Sequence, residues 1–131
     1  MLAVDTNVIV RYLTRDDPEQ SPRAEALINQ QTVFVSATVL LETEWVLRHA
    51  YGYEPAALLR ALRLFAGLPY VTFENPMRIA QALDWTEAGL DFADALHLAG
   101  AESCEALITF DKDFARAANR LGWMNVRIPS A

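Results

Sequence analysis

A single cysteine, Cys104, occurs in 131 residues, which rules out an intrachain disulfide and leaves no Cys/His set for a structural zinc. Lysine is just as scarce, the basic residues being ten arginines and Lys112. The 17 acids outnumber them and set the net charge at -6, the wrong sign for a protein that coats nucleic acid with a general basic surface. That sign does not exclude a nuclease whose acids surround divalent cations, because bound cations reverse the charge a phosphate meets. Glycine and proline are scattered singly, and there is no glycine-rich dinucleotide fingerprint, P-loop or G-x-S-x-G elbow. No apolar run approaches the roughly 18 residues of a membrane span. The opening MLAVDTNVIVRYL is broken by Asp5 and Asn7 and carries no cleavage-site pattern, so a cytoplasmic protein off the membrane is expected.

What remains is the composition of an ordinary folded domain, 53% hydrophobic and 21% charged, in a length that suits one compact domain over 1–131. Short apolar runs alternate with longer amphipathic ones. Strands are expected at Leu2–Val4, Val33–Val35, Tyr70–Phe73, Ala106–Thr109 and Val126–Ile128. Between them the periodicity predicts helices at Asn7–Leu13, from the Asp16-Asp17-Pro18 turn to about Gln30, and from a Ser36 or Thr38 cap to Gly52. The last of these carries Leu41, Trp45 and Val46 at helical spacing. Further helices are expected at Pro55–Leu68, Pro76–Glu87, Asp91–Glu102 and Lys112–Leu121. Strands separated by helices require crossovers, so the fold class is α/β, a three-layer α/β/α arrangement with a mostly parallel central sheet flanked by helices.

Functional groups in such sheets gather beyond the carboxyl ends of the strands. Asp5 follows the first expected strand and Asp111 the fourth, both of which are expected to be central. Glu42 and Asp94 fall in helical segments among apolar neighbours, Leu40-Leu41-Glu42 and Phe92-Ala93-Asp94-Ala95-Leu96, where a lone carboxylate is expensive to ionise. One such acid is commonly a cap or an ion-pair member. Four that converge would repel one another and raise their own pKa values unless a cation lay among them. Oxygen-only ligands favour Mg²⁺ or Mn²⁺, and the matching chemistry is metal-assisted phosphodiester hydrolysis, which needs no serine, cysteine or histidine nucleophile.

The blocks V-D-T-N-V-I-V-R-Y-L, L-L-E-T-E-W-V-L, D-F-A-D-A-L-H-L-A and I-T-F-D-K-D-F-A-R, in this order and at these separations, closely resemble PIN-domain proteins, especially VapC-type toxins of toxin–antitoxin pairs. The resemblance covers nearly the whole chain. It implies that Asp5, Glu42, Asp94 and Asp111 form the acidic site, with Asp113 in reserve for Asp111 and Asp91 for Asp94. It further implies a Mg²⁺- or Mn²⁺-dependent endoribonuclease that cuts RNA, forms a homodimer and is neutralised by a cognate antitoxin docked in an apolar groove.

Asn7 and Thr109, with Ser36, are candidates to orient an acid or a coordinated water, although Asn7 can equally cap a helix. His97 stands three residues after Asp94 and can pair with it or simply pack. Arg11, Arg15, Lys112 and Arg116 are candidates to hold RNA phosphates, against the commoner reading of solvated helix faces. Trp45, Trp85 and Trp123 are expected in the core or at a partner interface rather than stacked on bases. Two competing functions are a catalytically inactive PIN-like binding scaffold and a receiver-like phosphotransfer domain. The receiver fits poorly, since it wants adjacent acids after the first strand, where Asp5 stands alone. A haloacid-dehalogenase-type phosphatase would need an acid where the chain has Asn7.

Overall fold

The computed structural model describes residues 1–122 and 125–130, and Trp123 lies outside them. Two compact units are present, Met1–Pro76 and Met77–Ala131. The first contains β1 (Leu2–Ala3), α1 (Thr6–Thr14), α2 (Gln20–Gln30), β2 (Val33–Val35), α3 (Ala37–His49), α4 (Pro55–Ala66) and β3 (Val71–Phe73). The second contains α5 (Pro76–Glu87), which begins at the boundary, then α6 (Phe92–Gly100), β4 (Leu107–Ile108), α7 (Lys112–Arg120) and β5 (Val126–Arg127).

Every observed strand pair is parallel. In the first unit the order is β1-β2-β3, with Leu2 opposite Val33 and Val33 opposite Val71. In the second, β4 pairs with β5, Leu107 opposite Val126. The α/β class with parallel strands and crossover helices is therefore the one the alternation predicts. Within the first sheet the central position belongs to β2, whose Val33 and Val35 are fully buried, and β1 lies at an edge with Leu2 exposed. A uniformly apolar run does not distinguish a central strand from an edge strand when the strand is two residues long.

Local chemistry explains the helix starts. Asp5, in extended conformation, accepts a hydrogen bond from the Val8 amide (3.3 Å) and caps α1. Ser36 accepts from Val39 (3.3 Å) at the start of α3. Asp91 accepts from Asp94 (3.2 Å) at α6, and Asp111 from Phe114 (3.0 Å) at α7. In each case the side chain satisfies an amide that has no partner inside the helix.

The first unit buries Ile9, Val10, Ile28, Leu40, Leu47, Leu62 and Phe65, and Phe65 meets Phe73 edge-on with ring centroids 6.1 Å apart. In α3 the buried stripe is Leu40, Thr43, Glu44 and Leu47, while Trp45 is 54% exposed. The second unit buries Ile79, Leu83, Trp85, Phe92, Leu98, Phe114 and Val126. Among the described residues, no helix is long and apolar enough to cross a membrane.

Candidate active site

In the first unit, the residue that follows Asp5 and opens α1 holds a second expected acid. Thr6, buried beside the exposed Asp5, donates its hydroxyl in a short hydrogen bond to Glu42 Oε1 and also lies 3.5 Å from the Val39 carbonyl. The turn that leaves β1 thus presents Asp5 and at the same time fixes the carboxylate of Glu42 on α3. A hydroxyl reaching across 36 positions has no local signature.

Glu42 itself is exposed, contrary to the expectation raised by its apolar neighbours. The acid that α3 buries is Glu44, two residues on, and Arg48 neutralises it in a bidentate pair, Nε to Oε2 at 3.0 Å and Nη2 to Oε1 at 3.1 Å. Of the two glutamates in L-E-T-E-W, one is a structural ion-pair member and the other faces solvent with its orientation set by Thr6.

In the second unit, Asp91 and Asp111 act on Asp94. The Asp94 carboxyl is raised above its ordinary value, first by burial and then by the negative charges of Asp91 and Asp111, while His97 on the same helix pulls it back down. Asp111 is held by the turn that precedes it, where its own amide donates to Thr109 Oγ1 (3.0 Å). The Thr109 hydroxyl thus ties the turn that carries Asp111. Asp113 is exposed and lies 3.5 Å from Arg116 Nη2, and it is not among the charges that act on Asp94. Among the described residues, no group of three or more His, Cys, Asp or Glu side chains is already arranged to hold a metal ion.

The arginines expected near RNA have protein partners. Arg11 Nε donates to Gln20 Oε1 (2.9 Å), and Nη1 reaches Tyr51 Oη (3.1 Å) and Asp16 Oδ1 (3.4 Å). Tyr51 in turn donates to Asp16 Oδ2 (2.6 Å), and this bond together with the one from Thr14 holds the Asp16 carboxyl below its usual range. Arg15 pairs with Glu25 and lies 5.1 Å over the Tyr12 ring. Asn7 is exposed on the first turn of α1 and, with Arg11, lines a groove between α1 and α2. Of the tryptophans, Trp85 is in the core and Trp45 packs at the surface against His49, ring centroids 4.5 Å apart.

Residues 2–120 match the PIN domain family, and the chain belongs to that family. Among solved structures it is similar to a Mycobacterium tuberculosis toxin, VapC20, described as a sarcin–ricin-loop-cleaving toxin. The identity is 23%, the match covers 97% of this chain and 99% of that one, and the TM-score is 0.42. No curated protein matches the sequence.

Proposed function

We propose that the protein is a metal-dependent endoribonuclease of the VapC type, one domain over 1–131, that hydrolyses RNA phosphodiester bonds through Asp5, Glu42, Asp94 and Asp111. The observation that carries this reading is the Asp91, Asp94 and Asp111 group. There burial and the negative charges of Asp91 and Asp111 raise the Asp94 carboxyl more than His97 lowers it; a carboxylate held so is costly to the fold, and such strain clusters where function requires it. The family match runs through the sequence of both units and is the support for treating them as one domain.

The donor set fits a hard divalent cation. All the candidate ligands are carboxylate oxygens, which suit Mg²⁺ or Mn²⁺, and the raised Asp94 carboxyl would be relieved by a nearby positive charge. Asp5, Glu42, Asp94 and Asp111 are the residues that would hold the ion, with Asp91 and Asp113 in reserve. When bound, such an ion neutralises charge that develops on the phosphodiester and acidifies the attacking water. The chain's own residues orient the ligands. Thr6 fixes the Glu42 carboxylate, Thr109 fixes the loop that carries Asp111, and Asp91 fixes the first turn of α6 on which Asp94 stands.

A cognate antitoxin and a homodimer belong to the same reading, supported by the exposed apolar side chains of Trp45 (54%) on α3 and Leu64 (68%) on α4. The test is incubation of purified, antitoxin-free protein with total RNA in Mg²⁺, in Mn²⁺ and in chelator, beside Asp5→Asn. Cuts at a few positions that need the metal and vanish in the variant are expected. Intact RNA in the presence of metal and folded protein would instead point to a binding scaffold.

A further inference from the structure

The groove between α1 and α2 is lined by Asn7, Val8, Arg11, Gln20, Arg23, Ala24 and Leu27 and has a volume of about 360 Å³. That is the lower end of the roughly 300–1,000 Å³ typical of small-ligand sites. It is too small to seat a partner helix, which with its side chains is about 10–12 Å across. The lining divides into an apolar part, Val8, Ala24 and Leu27, and a polar part with one carboxamide and one guanidinium from each helix. No acid lines it, in a chain whose net charge is -6.

The two guanidinium groups differ in their freedom. Arg11 is held by Gln20, Tyr51 and Asp16 through Nε and Nη1, which leaves its Nη2 edge to donate. Arg23 is exposed and has no hydrogen-bond or ion-pair partner among the described residues. One fixed donor and one free cation over an apolar floor match a phosphate joined to a sugar and base.

We propose that this groove is a nucleotide subsite that holds one nucleotide of the single-stranded RNA substrate beside the bond that is cut. The phosphate lies between Arg23 and the Nη2 edge of Arg11, the base or sugar rests on Val8, Ala24 and Leu27, and the Asn7 and Gln20 amides supply hydrogen bonds. Asn7 links the groove to the acidic site, because it stands two residues after Asp5 on the first turn of α1. The subsite rests on the RNA-cleaving function proposed above.

The test is steady-state cleavage of a short single-stranded RNA in Mg²⁺ at several salt concentrations, by the full chain and by its Arg23→Ala and Arg23→Lys variants. Arg23→Ala removes a side chain without protein partners, so the fold is expected to persist. Its kcat/KM is expected to fall about tenfold, carried by KM. The slope of log kcat/KM against log salt is expected to flatten by about 0.7 with the loss of one phosphate contact, and Arg23→Lys to restore it. Arg23→Ala with the KM and salt slope of the unaltered protein overturns the subsite and leaves the nuclease standing. RNA left uncut by the unaltered protein overturns both.

Discussion

Burial and two neighbouring acids hold the Asp94 carboxyl above its ordinary value. In the unfolded chain this group loses its proton near the ordinary aspartate value, about 3.9, whereas the folded chain keeps the proton to higher pH. Below the unfolded value the penalty is therefore absent, and stability falls as pH rises from that value through the raised folded one. The favourable position at a helix N-terminus, worth about 0.3–1 kcal/mol to an acid, does not reverse the direction. Metal-free Asp94→Asn is accordingly expected to melt at a higher temperature than the unaltered protein at pH 7. The gap should close as the pH falls below about 4 and shrink when Mg²⁺ is added at pH 7. Calorimetry that finds the variant equally or less stable at pH 7 in chelator would show that Asp94 is not under this strain. Asp5 and Asp111 were legible in the sequence as the acids that follow apolar strands, and both lie where a strand hands over to a helix. The Thr6 bond to Glu42 was not legible, because it depends on how α1 and α3 pack.

Helix and strand positions followed from periodicity and capping residues to within a few residues, and Val33–Val35 and Pro76–Glu87 agree at both ends. Phase was harder to read. Val39, Leu40, Leu41, Trp45, Val46 and Leu47 make α3 apolar on more than one side, so spacing alone cannot choose the face, and the buried one proves to be Leu40, Thr43, Glu44 and Leu47. The same ambiguity conceals which glutamate of α3 is structural. Glu44→Gln weakens a buried bidentate pair and is expected to cost about 1–3 kcal/mol while the protein still cleaves RNA. Glu42→Gln keeps an acceptor for Thr6 on an exposed residue, so its stability is expected to change by no more than about 0.5 kcal/mol, with cleavage lost. Denaturant melts and cleavage rates of the two variants check this. The reverse assignment, an active Glu42→Gln or an inactive but stable Glu44→Gln, would exchange their roles.

For the whole molecule, the -6 charge and the use of arginine bear on how the proposed RNA substrate would be met. All three arginines expected to hold phosphates have acidic partners within the chain: Arg11 with Asp16, Arg15 with Glu25, and Arg116 with Asp113. On the proposed reading, metal ions, the free Nη2 edge of Arg11 and free cations such as Arg23, rather than a broad basic face, would offset the repulsion between an acidic chain and an RNA substrate. The family was legible from four sequence blocks and is borne out by the match over residues 2–120. The pairing of strands into β1-β2-β3 and β4-β5 was not, since strand order is set by crossovers that a linear pattern does not encode.

The claim that four carboxylates carry the chemistry is tested most directly by single-turnover cleavage of one RNA substrate in Mg²⁺ with Asp5→Asn, Glu42→Gln, Asp94→Asn and Asp111→Asn, each compared with the unaltered protein. Asparagine caps helices about as well as aspartate, so α1 and α7 keep their starts and a loss of rate does not reflect unfolding. Each variant is expected to be slower by about a hundredfold or more, and the unaltered protein to stop in chelator. A variant that cuts at the unaltered rate, or cutting that continues in chelator, would contradict the four-acid metal site.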